Sequence, residues 1–548
     1  MPRLLILVLL LGGCDAAQPT AADPVDAAVS PMDAARPPPA PLVPAPAATA
    51  RLTQAQYAHV IADVFGDDIV VPGPLEPDVA LDGLWAIGAA RTTISPRGVE
   101  LYEAAAYAIA EQVLGDPARR RRVLACEPGP QDTACLGQVI AKLGRRLWRR
   151  PLTESELSGL VALALDAENT LGDPRQGLTF ALAALLQSPW FLLRPVTPDM
   201  APAGEAVVLD GWAWANRVAF FLWDSGPDEG LLAAAEAGAL DLPASRAAWV
   251  THLLDDPRAR RGMRAFFNDY LKLRELDGLF KDPQVFTRYT PELGPMAREE
   301  TLATLEHLVF DAQADYRAAF TGHTTFLNRK LAAIYGVPAP AAAGFARTEL
   351  PADGPRAGLL GQASILAQNA HPVSSSATLR GRFIRETLLC GVIPPPPADV
   401  DTSLPEPNAD LPTLRDRVAI HMTGPSCAGC HQIMDPIGLG LENFDGIGRY
   451  RTLENGALID ASGVLDGQAF EDALALGEAV AAHPQLAPCL TRKLYSYAVG
   501  HAPTAGEAGE LARLEATFEQ KGYQIKALLA AIALSPGFGT IAPPAEEE

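Results

Sequence analysis

Apolar residues recur every three or four positions along most of the chain after residue 50, which is the spacing of amphipathic helices. Thr53 is placed to cap a helix with Tyr57 and Val60 on one face, and Thr153 with Glu156 predicts a capping box. Further helices are predicted over 98–113, 134–148, 177–187, 209–223, 231–239, 245–255, 259–273, 298–312, 326–335, 356–368 and 380–390. With no strand-rich region and no repeat of fixed period, the sequence predicts a mainly α, multi-unit helical protein.

The N-terminus has the features of an export signal. Arg3 precedes eight apolar residues, 4–11, too few to cross a bilayer, which needs about 20. Gly12 and Gly13 then precede Cys14, as in a bacterial lipobox. We expect a signal peptide over 1–13 and a lipidated Cys14, which predicts a protein that is lipid-anchored in the bacterial cell envelope, on the periplasmic or outer-membrane face. The alternative is an ordinary signal peptide with an incidental cysteine.

Composition divides the rest of the chain. Residues 14–50 are rich in Ala and Pro and predict a disordered tether. Helical units are expected over 51–125, 126–200, 201–340 and 355–400, the last ending in the polyproline run 394–397, followed by a C-terminal unit over 410–540 and a disordered tail over 541–548. The net charge of −21 argues against a nucleic-acid partner.

The sequence Cys427-Ala428-Gly429-Cys430-His431 is the strongest chemical motif. Two thiols at this spacing can attach a c-type haem, with His431 as the proximal iron ligand. The alternative is that Cys427 and Cys430 form a disulfide with each other.

Three nearby carboxylates, Asp435, Glu442 and Asp445, could orient that imidazole or a haem propionate. They could equally cap helices and turns, and for Asp435, just before Pro436, a turn role is favoured. Asn455-Gly456 predicts a small β-hairpin inside this cytochrome-c-like helical unit.

A sixth iron ligand is not evident, because no methionine follows Met434 in the chain. Met434 itself is too close to His431 to reach the opposite face of a haem. The remaining candidates are His371, His421, Met422, His483 and His501, and the site could also stay open.

The chain has seven cysteines. With Cys14 set aside for lipid, Cys126 and Cys135 flank a Pro/Gly turn and could form a local disulfide. Cys390 and Cys489 could then pair whether Cys427 and Cys430 hold haem or form a disulfide. The even number of the remaining cysteines therefore favours an oxidising compartment. It does not decide whether Cys427 and Cys430 hold haem or form a disulfide.

Two further clusters favour structural roles. The basic cluster 145–150 is expected to be a helix C-terminus beside carboxylates rather than an anion site. The aromatic residues of 212–223 are expected in the core rather than on a sugar platform, because they recur at helical spacing.

Eight stretches carry a resemblance to a known family. They are RLTQAQYAHVIADVFG from Arg51, RRLWRRPLT from Arg145, LLQSPWFLLR from Leu185, WANRVAFFLWDSGPDEGLLAAAEAGAL from Trp214, FLNRKLAAIYGVP from Phe326, LRGRFIRETLLCGVIPPPP from Leu379, CAGCHQIMDPIGLGLENFDGIGRYR from Cys427 and LTRKLYSYAVG from Leu490. In this order they resemble exported planctomycete and myxobacterial proteins built from domains of unknown function 1587, 1595, 1592, 1588 and 1585. The resemblance implies a cytochrome-like redox role. The family's usual closing Tyr-Ala-Leu-Gly-Arg is here Tyr497-Ala498-Val499-Gly500-His501, so any role of the final arginine is not carried over.

Three classes of function follow from these patterns. The first is a haem c protein for electron transfer or oxidoreductase chemistry, with an unknown redox or envelope protein as partner. The second is a non-haem envelope scaffold that binds a protein or polysaccharide. The third is a carboxylate hydrolase, which no motif supports.

Overall fold

The computed structural model describes residues 41–46, 48–194, 206–394, 404–424 and 427–542. Within this part of the chain the fold is mainly α, with strands only in small two-stranded sheets. The expected signal peptide, Cys14 and most of the tether lie outside the described residues, as do Pro395–Pro397 and residues 543–548.

The N-terminal helices begin at side-chain caps that the sequence indicates, since Thr53 and Thr153 both form complete capping boxes. The helices of this part are α1 Gln54–Phe65, α2 Trp85–Ala89, α3 Pro96–Gly115, α4 Pro117–Val123, α5 Thr133–Trp148, α6 Glu154–Leu171, α7 Pro174–Gln187 and α8 Pro189–Leu192.

The central helices surround the aromatic residues, and Trp214 and Trp223 are buried in the core, as expected. They are α9 Gly211–Trp223, α10 Glu229–Glu236, α11 Pro243–Asp255, α12 Arg258–Tyr270, α13 Leu293–Glu306, α14 Ala318–Thr321 and α15 Arg329–Tyr335. A π-helical turn, His307–Asp311, extends α13.

The C-terminal helices carry the Cys-x-x-Cys-His motif on α19. They are α16 Ala363–Gln368, α17 Ala377–Arg382, α18 Leu414–Thr423, α19 Ala428–Gly438, α20 Ala473–Ala482, α21 Leu486–Val499, α22 Ala508–Gln520, α23 Ile525–Ala533 and α24 Pro536–Gly539. A second π-helical segment, Phe383–Leu388, continues α17.

Among the described residues, ten short strands form five antiparallel pairs. They are β1 Ala50–Arg51 with β2 Leu193–Arg194, β3 Val207–Val208 with β10 Thr540–Ile541, β4 Thr324–Leu327 with β5 Ala346–Glu349, β6 Leu453–Glu454 with β7 Ala457–Leu458, and β8 Gly463–Leu465 with β9 Gln468–Phe470. The hairpin predicted at Asn455-Gly456 is confirmed, with both residues at positive φ between β6 and β7.

Two large clusters of buried side chains form most of the described core. One buried cluster extends from Leu84 to Ile541 and includes side chains of the central helices and of α20–α24. A second cluster joins α1, α3, α5 and α7. By their contacts, the described residues from 41 onward belong to one compact unit.

Two predicted helices are wrong in part. Phe326 and Leu327 lie in β4, so the helix expected over 326–335 begins only at Arg329 after an Asn328 cap. Over 356–368 the chain forms a 3₁₀ turn, Leu359–Gly361, and then α16. Both segments are apolar and pack between elements distant in sequence, and such contacts override local periodicity.

The two ends of the body are more ordered than their composition predicted. The Val43 amide donates to the Gly506 carbonyl at 3.0 Å, and Ala50 is buried in β1. At the other end Ile541 is buried in β10. Backbone hydrogen bonds need no large side chain, so a segment rich in Ala and Pro can pair with a neighbouring strand.

None of the described helices has the length and apolar character needed to cross a membrane.

Candidate functional site

Helix α19 presents the motif on one face. Cys427 is the N-cap of this helix, and Cys430 and His431 follow three and four residues later, so all three side chains point to the same side. Both cysteines are half-buried, and no disulfide joins them in the part of the chain that the structure describes. The Cys430 thiol lies 3.6 Å from the Pro394 carbonyl oxygen.

The His431 imidazole is held by a buried carboxylate. Its Nδ1 lies 2.8 Å from Asp435 Oδ2, one turn further along α19. The Asp435 side chain is fully buried, and Thr378 of α17 donates a hydrogen bond of 2.8 Å to its other oxygen. Nε2 of His431 makes no hydrogen bond within the described residues. The turn placement favoured for Asp435 is therefore wrong, because the residue lies inside a helix.

His421 of α18 is the candidate distal residue that the structure brings to His431. The two rings are in edge contact with centroids 4.8 Å apart, which leaves no space for a metal ion between them. His421 is buried, and its Nδ1 has no hydrogen-bond partner in the described structure.

The other distal candidates have different surroundings. His483 Nε2 lies 2.9 Å from Asp466, and His501 Nε2 lies 3.6 Å from Glu507. His371 lies beside Lys281, which donates to its carbonyl oxygen. The Met422 carbonyl accepts a hydrogen bond from Gln432.

Glu442 belongs to a buried network rather than to the imidazole. Its carboxylate accepts from Ser375 at 2.6 Å, from Arg451 at 3.1 Å and from Arg380 at 3.4 Å. Burial raises the pKa of Glu442, whereas the two arginines lower it. This network joins α17 to the segment after α19.

Asp445 caps a turn in the same segment. Its Oδ1 accepts from the backbone amides of Ile447 and Arg449, both at 2.9 Å. Arg380, which is fully buried, donates to the carbonyl oxygens of Leu441, Phe444 and Asp445. Sequence reasoning missed Arg380, and an arginine inside an apolar helix next to Gly381 was the available signal.

Glycines let α17 and α19 cross at very short range. A Cβ atom on Gly381 would lie 1.9 Å from the Met434 carbonyl oxygen, and one on Gly438 would lie 1.8 Å from the Ala377 carbonyl oxygen. Only glycine permits this approach, which places Thr378 against Asp435.

The two predicted disulfides are confirmed. Cys126 pairs with Cys135, and Cys390 pairs with Cys489 over 99 residues of sequence. The second bond ties the segment after α17 to α21.

The donor set fits a covalently attached c-type haem. It consists of two thiols and an imidazole whose Nδ1 is engaged by a carboxylate, as is usual for metal-bound histidines, so that Nε2 is left for the metal. Within the described ranges, no group of three or more His, Cys, Asp or Glu side chains is arranged to hold a metal ion.

The comparisons with known proteins match five family models in series, each described as a protein of unknown function. They are DUF1587 over residues 50–115, DUF1595 over 135–195, DUF1592 over 209–337, DUF1588 over 356–454 and DUF1585 over 466–538. The DUF1588 model, named PSCyt3, includes the Cys-x-x-Cys-His motif within its match. Neither the curated proteins nor the solved structures give a significant match. The chain therefore belongs to the multidomain family in which these five domains follow one another in this order.

Proposed function

We propose that this protein is an exported c-type cytochrome-like lipoprotein that transfers electrons in the cell envelope. Cys427 and Cys430 would attach the haem, and His431 would bind its iron through Nε2. The contact of 2.8 Å between His431 Nδ1 and the buried Asp435 carries this proposal. The name PSCyt3 of the matching DUF1588 model is consistent with a cytochrome-like role.

The chain's own residues would set the ligand's orientation. Asp435 would accept a hydrogen bond from Nδ1–H, which fixes the tautomer and leaves the lone pair on Nε2. Thr378 holds the other oxygen of Asp435, so the imidazole is positioned by both α17 and α19. A bound haem would supply one-electron redox chemistry.

Spectra and haem staining test the haem proposal in protein made with a haem-attachment system. We expect a haem-positive band on a denaturing gel that is lost in Cys427→Ala/Cys430→Ala. His431→Ala should retain the band but change the Soret absorption, whereas the control His252→Ala, on α11, should leave both unchanged. A colourless wild-type protein from a host that matures other c-type cytochromes would contradict the proposal.

Asp435→Asn tests the positioning role separately. The amide is a weaker acceptor, so the imidazole becomes a poorer donor to iron and the reduction potential should become more positive. Haem attachment should be unaffected. An unchanged reduction potential would show that Asp435 does not position the iron ligand.

The second part of the proposal is that a lipid on Cys14 anchors the protein to the membrane. The apolar run before Gly12-Gly13-Cys14 supports it, and the two disulfides are typical of exported proteins. Cys14→Ala should move the protein from the membrane fraction to the soluble fraction. Retention in the membrane fraction equal to wild type would count against lipidation at Cys14.

The non-haem scaffold remains the alternative, in which Cys427 and Cys430 form a disulfide. Its signature would be a colourless protein whose 427–430 disulfide survives non-reducing peptide mapping.

A further inference from the structure

A cavity of about 60 Å³ lies far along the chain from the Cys-x-x-Cys-His motif, where the two ends of the described body meet. Its lining residues include Arg194 at the end of β2, Asn216 and Arg217 on α9, Tyr497 on α21 and His501 after that helix. The strand pair β3–β10 borders it through Thr540 and Ile541.

Three polar side chains of this cavity have no hydrogen-bond partner within the described residues. Arg194 donates no hydrogen bond and forms no ion pair, and its guanidinium only stacks 5.0 Å from the centroid of the Phe220 ring. The Asn216 amide is also unpartnered, with a shielded Oδ1. Tyr497 is only 8% exposed, yet its hydroxyl has no partner there either. Buried polar atoms are nearly always satisfied, so the shielded and unpartnered Nε of Arg194 beside this cavity indicates a missing hydrogen-bond acceptor.

The Tyr497 hydroxyl is a donor rather than an anion. Burial raises its pKa, the nearby carboxylates of Asp224 and Asp269 raise it further, and Arg194 opposes them. The ring itself is fixed by edge contact with Phe266 at 5.4 Å between centroids. The hydroxyl oxygen is therefore held at a defined position, and its hydrogen can turn towards a ligand.

Two arginines, Arg194 and Arg217, bring positive charge to the cavity. Arg217 is anchored by hydrogen bonds to the carbonyls of Phe538 and Val499, at 2.8 and 3.2 Å, and stays protonated although burial lowers its pKa to about 10. The one lining carboxylate, Glu507, already accepts hydrogen bonds from Tyr495 and Thr504. Arg194 forms no ion pair within the described residues, although Asp224 lies near enough to act on its pKa, and its planar fork of donors suits an oxyanion.

We propose that this cavity binds a small oxyanion, a carboxylate or a phosphate group, through the Arg194 guanidinium, the Tyr497 hydroxyl and the side-chain NH2 of Asn216, with Arg217 supplying further positive charge. The proposal does not rest on haem attachment, because within the described residues none of these side chains forms a hydrogen bond, ion pair or ring contact with α19.

Calorimetric titration of the purified full chain with inorganic phosphate or with succinate, against chloride at equal ionic strength, tests this site. At least one oxyanion should bind and raise the melting temperature, and the tighter of the two identifies the group recognised. Arg194→Gln removes a charge-assisted hydrogen bond and should raise Kd about tenfold or more. The matched control Arg121→Gln removes an exposed arginine and should leave Kd unchanged.

The effects of these substitutions on folding can be measured separately from their effects on oxyanion binding. Without oxyanion, Arg194→Gln should change the melting temperature little, because the guanidinium loses only its contact with the Phe220 ring and no hydrogen bond or ion pair. Tyr497→Phe keeps the packed ring, removes only the hydroxyl, and should also weaken binding. Failure of both probes to bind, or equal affinity in Arg194→Gln and Arg121→Gln, would overturn the proposal.

Discussion

At the scale of single residues, Glu300 on α13 is a carboxyl in an unusual environment. It is fully buried and accepts hydrogen bonds from Tyr335 at 2.7 and 2.8 Å and from Thr325 at 2.8 Å. Burial raises its pKa to about 7, whereas the hydrogen bonds and Arg356 act in the opposite direction. The folded protein therefore binds this proton more tightly than the unfolded chain does.

This shift predicts a pH dependence of stability. The contribution of Glu300 is fully present below the unfolded pKa of 4.5 and is lost as pH rises through about 7, a difference of ~3 kcal/mol. Glu300→Gln keeps the shape and removes the titration, so its melting temperature should fall less than that of wild type between pH 5 and 7. Glu299→Gln, on the half-exposed neighbour, is the control. Equal pH dependence in wild type and Glu300→Gln would contradict the assignment.

Residue roles were only partly predictable from sequence. The caps Thr53 and Thr153 and the disulfide pairs depend on local spacing and parity, and both were predicted. The contact between His431 and Asp435 has the spacing of one helical turn, but Pro436 suggested a turn instead. Pro436 is tolerated inside α19. Arg194 and Tyr497 meet only through the tertiary fold, so no local pattern identifies their cavity.

At the scale of elements, the α17–α19 crossing determines where the Cys-x-x-Cys-His motif stands. Gly438→Ala would drive a Cβ into the Ala377 carbonyl and should lower stability by roughly 2–4 kcal/mol. Gly429→Ala lies on the same helix, and its Cβ would meet nothing within 4 Å, so it should be neutral or stabilising by up to about 1 kcal/mol. Denaturant unfolding of the unloaded protein measures both, and similar effects of the two substitutions would refute the close crossing.

Element prediction failed where long-range packing replaces local periodicity. β4 pairs with β5, which lies about 20 residues further along, and so the apolar Phe326 and Leu327 are extended although they precede a helix. The hairpin β6–β7 was predictable because Asn455-Gly456 specifies its own turn.

At the scale of the whole molecule, the two disulfides constrain loops of very different length. Closing 99 residues, Cys390–Cys489 should contribute about 4–5 kcal/mol, and Cys126–Cys135, which closes 9, about 2.5 kcal/mol. Double alanine variants of each pair, compared by denaturant midpoint without reductant, should show the larger loss for Cys390→Ala/Cys489→Ala. The opposite order would show that local strain or residual structure outweighs loop closure.

The family segments could be recognised in the sequence, but the packing of these segments against one another could not. The core cluster that extends from Leu84 to Ile541 requires contacts between segments hundreds of residues apart, which spacing along the chain does not encode. The chemical motif, in contrast, is local, so its residues were predicted before their arrangement was known.

The most direct test of the haem proposal is the mass of the peptide containing residues 427–431, from protein made in a host with haem-attachment machinery and analysed without reduction. The account predicts a peptide carrying one haem bonded to both Cys427 and Cys430. A peptide lighter than the dithiol by two hydrogen atoms, the mass of an internal disulfide, would contradict it.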